Sequence, residues 1–519
     1  MSVLYRIDEL RRLEARAQAQ LPHGTLMQRA GLSAAEWIRA WLAQAAPPGA
    51  RGGPALVLVL CGPGNNGGDG FACAAALARM GIACACWAPR DSGSEEARAA
   101  RAAWSGVAQG RILTELPDAR GVVLAVDALF GIGAQRPLDG DYLQALRWVQ
   151  EHRIPLLALD VPSGLNAQTG AWLGAVAGAR ALHTLTFLGD KPGLHTLEGI
   201  DAAGTVSVAG LGVSDPSPEA AGRLSSPGCF TACLQPRAAN SNKGDFGAVA
   251  VVGGASGMVG AALLAARAAL RLGAGKVYVC CLGAPQLGVD PLQPELMFRV
   301  WPHLPDADVL VAGCGLGGDA TAREALERAI AHEGGLVLDA DALNLLAGDT
   351  RLAAQLRAHT AAQAAATVLT PHPAEAARLL QSDTSAVQAD RVQAALTLAR
   401  SFGTIVVLKG AGSIIAAPPH AAAAQGRYWI NTTGSAALAS AGTGDVLAGM
   451  IGALLAQAPH AASAGDEAAL QAVLAAVWLH GQAAARSRRR IGLTASDIAP
   501  LAARELSRLI ARGAAPDAG

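Results

Sequence analysis

Apolar runs bounded by glycine or proline punctuate the chain: ALVLVLC from Ala55, VVLAV from Val122, PLLALDV from Pro155, AVAVVGG from Ala248, DVLVAG from Asp308, GLVLDA from Gly335 and TIVVLKG from Thr404. They are continuous rather than alternating, as a parallel strand buried on both faces requires. Alanine-rich stretches with helical spacing lie between them, at Gly70 to Met80, Ala320 to Ala331 and Ala374 to Leu380. Strand followed by helix, repeated, predicts doubly wound α/β sheets. Proline, serine and glycine cluster without apolar period from Val213 to Gly228, and this marks a boundary. The expected organisation is one domain over 1–215, a linker over 216–236 and a second domain over 237–519. The uncharged run from Gly247 to Ala266 is nearly long enough to span a bilayer, but Gly253, Gly254, Gly257 and Gly260 cut it. It reads as a buried strand, a loop and a helix start.

Composition narrows the class. A chain of 519 residues is too long for one compact core, so two or three domains and more than one activity are expected. Lys and Arg (41) balance Asp and Glu (41), which leaves no field to attract nucleic acid or an anionic membrane. Hydrophobic residues at 51% exclude a disordered chain. The nine cysteines contain no C-x-x-C pair, so neither a disulfide framework nor a zinc site is suggested, and a reducing cytoplasm fits. The N-terminus, MSVLYRIDELRRLEARAQ, is charged and helical in pattern, unlike a secretory signal. Trp37, Trp41 and Trp478 read as core, and Arg486, Arg488, Arg489 and Arg490 as a solvated helix end.

Two glycine-rich turns carry the chemistry. The strand from Ala55 runs into GPGNNGGDG at 62–70, where glycines admit a close ligand and the following helix start suits a phosphate. An ordinary turn accounts for the glycines, and accounts poorly for Asn65, Asn66 and Asp69. This is not G-x-G-x-x-G with a ribose-binding acid, so hydride transfer is disfavoured. Two more strands end in Asp127 and Asp160, and ligands in open parallel sheets sit outside such ends. Asp69, Asp127 and Asp160 can thus converge on one crevice. In the second half, Gly442-Thr443-Gly444-Asp445 open a long apolar helix. Backbone N–H groups of such a turn can hold a phosphoryl group, while Asp445 can take a proton from an attacking hydroxyl. A glycine cap followed by an aspartate cap is the bland alternative, and it leaves Asn431 and Gly434 without a reason. His372, between two prolines, can either brace a turn or meet a ligand.

The first half resembles the NAD(P)H-hydrate epimerase family through LMQRAG at 26–31, GPGNNGGDG at 62–70, VDALFGIG at 126–133, LDVPSGL at 159–165 and GDKPGL at 189–194. The resemblance implies a Rossmann-like three-layer α/β/α domain. It implies substrate contacts from Asn65, Asn66, Gly67, Gly68 and Asp69, from Gly131, Ile132, Gly133, Ala134, Gln135, Arg136 and Pro137, and from Asp160. It implies a K⁺ held by Asn66, Asp127 and Ser163. Epimerisation at C6 of a hydrated nicotinamide needs an acid/base group, and Asp160 is the first choice because Asp127 would be taken by the cation.

The second half resembles the ADP-dependent NAD(P)H-hydrate dehydratase family, within the ribokinase-like superfamily. The matching segments are SNKGDFG at 241–247, VVGGASGMVGAALLAARAALRLGAGKV at 251–277, GCGLG at 313–317, DADALNLL at 339–346, TPHPAEAARLL at 370–380, VVLKGAGSII at 406–415 and TASDI at 494–498. By that resemblance Ala261, Gly317, His372 and Asp445 would meet the substrate. Lys409, Gly410, Ala411, Gly412, Ser413 and Gly444 would hold the nucleotide, Asp445 would be catalytic, and Mg²⁺ would accompany ADP. Cys314 departs from the proline usual there. Both halves together resemble the bifunctional NAD(P)H-hydrate repair enzymes, which implies NADHX, NADPHX and ADP as small-molecule partners, with no nucleic acid or membrane, and a homo-oligomer. The rival reading is a ribokinase-like kinase for a small alcohol, with the first domain regulatory.

Overall fold

The computed structural model describes residues 2–44, 55–107, 110–214, 222–362, 365–419, 426–458, 465–487, 489 and 491–513. Two compact units meet in the chain at Gly222 and Arg223.

The first unit is built on a seven-stranded sheet. Its strands are β1 (Leu56–Cys61), β2 (Cys84–Trp87), β3 (Ile112–Leu113), β4 (Val122–Ala128), β5 (Leu156–Leu159), β6 (His183–Phe187) and β7 (Thr205–Ala209). They lie in the order β3-β2-β1-β4-β5-β6-β7, all pairs parallel. Strand order reverses between β1 and β4, which opens a crevice at their carboxyl ends. Both faces of β1 are apolar because both are covered. Val57, Val59 and Cys61 join Phe71, Ala30 and Ile38 in one core, while Leu58 and Leu60 join Tyr142 and Leu146 in the other. The expected three layers therefore form, with helices Thr25–Gln44 and Asn65–Arg79 on one face and Gly140–Glu151 on the other. Trp37 and Trp41 stack at 6.3 Å against the first core.

The second unit carries β8 (Ala248–Gly253), β9 (Lys276–Cys281), β10 (Met297–Phe298), β11 (Val309–Ala312), β12 (Gly335–Leu338), β13 (Thr367–Leu369), β14 (Ile405–Leu408), β15 (Ser413–Ala417) and β16 (Arg427–Asn431). These run side by side as β16-β15-β14-β13-β12-β11-β8-β9-β10. Pairing is parallel from β10 to β14 and antiparallel at β15. The Gly247 to Ala266 run is strand β8, a turn, and the start of helix Val259–Arg271, as its glycines imply. Among the described residues one helix, Glu467–Arg486, is long and apolar enough to cross a membrane, and it is mostly buried in the unit's own core. Of the expected linker, 216–221 lies outside the described residues. The remainder packs on the second unit: the Ser225 N–H donates to the Ile430 carbonyl at 2.9 Å, and the wholly buried Phe230 meets Trp478 at 5.8 Å. All nine cysteines are free.

Helix Thr443–Ala456 is buried at every position from Val446 to Ala456, so it must pack closely on all sides. At Gly449 a Cβ would stand 1.9 Å from the Ala265 carbonyl oxygen of helix Val259–Arg271. Overpacking against a backbone atom outweighs the gain in helix propensity, and Gly449→Ala should destabilise the second unit by about 1–3 kcal/mol. Urea unfolding would register this as a lower midpoint; an unchanged midpoint would mean that the two helices separate freely.

Candidate functional site

In the first unit a cavity of about 480 Å³ opens at the switch point of the sheet. Helix Asn65–Arg79 starts at its floor from Gly64, which has open space around it, leaving the backbone N–H groups of the first turn without an intrahelical partner. The cavity wall brings together Asn65, Asn66, Asp69, Gly131, Ile132, Gly133, Ala134 and Asp160. Gly67, Gly68, Gln135, Arg136 and Pro137 are not part of that wall. A Cβ at Gly67 would fall 1.9 Å from the Gly62 carbonyl, and one at Gly68 would fall 2.5 Å from Met27, so these two glycines serve packing. Gln135, Arg136 and Pro137 are exposed beyond the rim.

Asp160 follows β5 with φ +68, a conformation a non-glycine residue holds only when its surroundings impose it. Its Oδ1 lies 2.8 Å from Lys191 Nζ, and its Oδ2 accepts from the Ile132 N–H at 3.1 Å. Lys191 is completely buried and also donates to Thr186 Oγ1 and to the carbonyls of Phe187 and Gly189. Below the cavity, Asp127 is fully enclosed. Its carboxylate accepts from the Ser163 hydroxyl at 2.6 Å and the Ser163 N–H at 2.8 Å, and Ser163 Oγ in turn accepts from the Phe130 N–H. Asn66 donates to the Leu159 carbonyl, while its buried Oδ1 has no partner. A Cβ on Gly131 would lie 2.7 Å from Asp160 Oδ2 and 3.6 Å from the Asn66 side chain, so both crowd the same turn.

Sequence reasoning missed Lys191, Glu14 and Glu96 on this wall. Lys191 lies within GDKPGL, past the end of β6. Glu14 sits on helix Ile7–Gln20, which covers the cavity. Burial pushes the Glu14 carboxyl up, with the charges of Asp160 and Glu96 adding to it.

The second unit gathers its polar groups where Gly442, at φ +85, starts helix Thr443–Ala456. Lys409 Nζ lies 2.6 Å from Asp339 Oδ1, and a Cβ on Gly444 would meet that Nζ at 3.3 Å. Donor atoms of Cys314, Asp339 and Asp445 all fall within 4.8 Å of one another. Lys409, Gly444 and Asp445 are therefore brought together, and Asp339 and Cys314 join them unanticipated. Gly317 donates its N–H to Asp341, and its loop is zipped to the turn before Ala261 by the Gly254 N–H to the Cys314 carbonyl and the Ala255 N–H to the Gly315 carbonyl.

Gly410, Ala411, Gly412 and Ser413 close the hairpin from β14 to β15, with the Ser413 hydroxyl on the Gly410 carbonyl. The wholly buried Arg391 donates to the carbonyls of Leu408 and Lys409 beneath that turn. His372 braces a turn: its Nδ1 caps helix Pro373–Leu379, and its Nε2 lies 3.2 Å from Glu375. Asn431 is also a brace, donating to the Thr433 and Val477 carbonyls. His480 bonds the Thr443 carbonyl at 2.9 Å, and burial pushes its imidazole down to about 4.

Residues 249–507 match the family described as NAD(P)H-hydrate dehydratase, and residues 23–193 match the family described as YjeF-related protein N-terminus. A bifunctional NAD(P)H-hydrate repair enzyme Nnr of Escherichia coli is 38% identical over 413 residues, which is 77% of this chain and 76% of that protein. The corresponding enzyme of Coxiella burnetii is 33% identical over 518 residues, 96% of this chain and 98% of that protein. Among solved structures, an ADP/ATP-dependent NAD(P)H-hydrate dehydratase of Bacillus subtilis, co-crystallised with ATP/Mg²⁺, is 28% identical, with a TM-score of 0.45 over 55% of this chain and 98% of that one.

Burial first, and the Asp339 charge second, push Asp445 up from 3.8 to about 6. The folded chain holds that proton more tightly than the unfolded chain, so the associated stability is complete below the ordinary carboxyl range and is lost as pH rises through about 6. Asp445→Asn should therefore raise the unfolding temperature at pH 8 and leave it unchanged at pH 4. Equal unfolding temperatures at both pH values would show that Asp445 bears no strain when ionised.

Proposed function

The chain belongs to the bifunctional NAD(P)H-hydrate repair enzymes, and from that premise we propose how its two sites divide the work. It is an epimerase and dehydratase of hydrated nicotinamide dinucleotides. The first unit interconverts the R and S hydrates; the second returns the S hydrate to NAD(P)H, consuming ADP and releasing AMP and phosphate. The observation that carries this reading is that one chain holds two strand-end clusters in which a lysine pairs with an aspartate, Lys191 with Asp160 and Lys409 with Asp339, and matches the repair enzymes through both units. A kinase with a regulatory first domain is not favoured, since it leaves the first crevice without a reaction.

In the second unit the nucleotide lies over the Lys409 to Ser413 turn with its terminal phosphate at the Gly444 N–H groups. Lys409, aligned by Asp339, offsets the phosphate charge. Asp445 takes the proton of the C6 hydroxyl as that oxygen attacks phosphorus, with AMP as leaving group. Phosphate then departs with the C6–O electron pair while the N1 lone pair forms the C6–N1 double bond; C5 gives a proton to the departing phosphate, its C–H pair becomes the C5–C6 double bond, and the N1 lone pair is restored. Mg²⁺ belongs with the nucleotide's phosphates in this reading. The one convergent donor set among the described residues is a thiol and two carboxylates, one of them lysine-paired, which does not fit the oxygen shell Mg²⁺ demands.

In the first unit the diphosphate lies at the start of helix Asn65–Arg79, and Asp160 faces C6. Asn66, Asp127 and Ser163 would hold K⁺. Support comes from the buried, unpartnered Oδ1 of Asn66 within an all-oxygen donor set. Such an ion would supply charge balance for Asp127 beneath the Phe130–Gly131 turn. Nine free cysteines are consistent with a reducing cytoplasm.

Asp445→Ala should abolish ADP-dependent recovery of NADH absorbance while the epimers still interconvert. In the wild type, kcat/KM for dehydration should fall about tenfold per pH unit below about 6, because only the ionised base accepts a proton. Substantial dehydration by a folded Asp445→Ala protein, or a flat profile from pH 5 to 7, would remove Asp445 from the role.

A further inference from the structure

Four carboxylates, those of Glu14, Asp69, Glu96 and Asp160, line the first unit's cavity, and they are held differently. Asp160 uses both oxygens as acceptors, from Lys191 and from the Ile132 N–H. Glu96 accepts from the Gly24 N–H at 3.2 Å and lies 3.6 Å from His23. Asp69 rises from a different wall, the first turns of helix Asn65–Arg79, and among the described residues its carboxyl makes no hydrogen bond or ion pair. The charged groups around it are Asp160 beyond β5, Glu14 on helix Ile7–Gln20 and Glu96 on helix Glu95–Ser105, with Lys191 committed to Asp160. Burial, then the charges of Asp160, Glu14 and Glu96, push Asp69 well above the usual carboxyl range. One cavity thus holds a carboxylate fixed in place by two donors and a second carboxyl that no donor holds and that burial and three like charges push upward, an arrangement suited to dividing base from acid.

We propose that epimerisation uses two carboxyl groups, with Asp69 as the proton donor and Asp160 as the proton acceptor. This assignment rests on the epimerase reading given above. Asp69 gives its proton to the C6 hydroxyl as the C6–O bond breaks. The electron pair of that bond leaves with water, and the N1 lone pair forms the C6–N1 double bond. Water then adds to the opposite face of C6, the N1 lone pair is restored, and Asp160 takes the surplus proton. One proton has moved from Asp69 to Asp160, and the reverse epimerisation moves it back.

The test uses the full chain without ADP, with the epimers separated chromatographically at short times and an enzyme-free control for spontaneous inversion. Asp69→Asn should slow inversion about 100-fold or more in both directions. It should also lose the alkaline fall in kcat/KM that the wild type shows as Asp69 ionises. Glu14→Gln removes a like charge and should move that alkaline limb to lower pH, so this variant decides the matter if Asp69→Asn does not fold. In H₂¹⁸O, each wild-type inversion should place one ¹⁸O at C6. An Asp69→Asn protein that inverts within threefold of the wild-type rate, or a Glu14→Gln limb that does not move, would overturn the assignment. A wild-type chain that does not exceed the enzyme-free rate would instead overturn the epimerase reading itself.

Discussion

Carbonyl oxygens lodged where a Cβ would otherwise stand keep both sites in shape. A Cβ on Gly62 would fall 1.9 Å from the Leu129 carbonyl, which pins the loop after β1 to the loop after β4. In the second unit one on Gly313 would fall 1.8 Å from the Asp339 carbonyl, pinning the loop after β11 to the residue that follows β12. These approaches are too close for any residue except glycine. They set the spacing of neighbouring strand ends, and those ends carry Asp127, Asp160 and Asp339. The glycine-rich runs therefore act first on backbone packing and only through it on the ligand.

On this frame both units use the same electrostatic arrangement. A lysine on the strand side neutralises one carboxylate, Lys191 with Asp160 and Lys409 with Asp339. A second carboxyl nearby, Asp69 or Asp445, is pushed upward by burial and by the first. The lysine holds the first carboxylate in place, whereas the second carboxyl, pushed upward and without an ion-pair partner, is the one suited to proton exchange. In the proposed reactions each site handles the proton of the same C6 hydroxyl.

Much of this architecture was legible in the sequence. All seven apolar runs became parallel strands, because strands buried on both faces cannot disguise their composition. Of the strand-end aspartates, Asp160 lines the cavity and Asp127 is enclosed in the fold. HTLTF at His183–Phe187 and TVSVA at Thr205–Ala209 were harder to see, since their polar residues interrupt the apolar run. Lys191, Asp339, Cys314 and Arg391 could not be placed from spacing. The carboxylates that Lys191 and Lys409 pair with, Asp160 and Asp339, lie far from them in the chain, and a lone charged residue carries no period. The reading of Phe230 within a linker missed one aromatic anchor in an otherwise polar segment. His372 and Asn431 make hydrogen bonds that brace turns, which motif position alone does not reveal.

The central claim is that two reactions run in series within one chain, the first feeding the second. The most direct measurement is the stoichiometry of repair when the full chain receives a defined mixture of R and S NADHX with excess ADP. The account predicts complete recovery of NADH from both epimers, with one AMP and one phosphate formed per NADH. Recovery that stops at the S fraction at the spontaneous rate of epimerisation, or nucleotide consumption that yields a stable phosphorylated product without NADH, would contradict it.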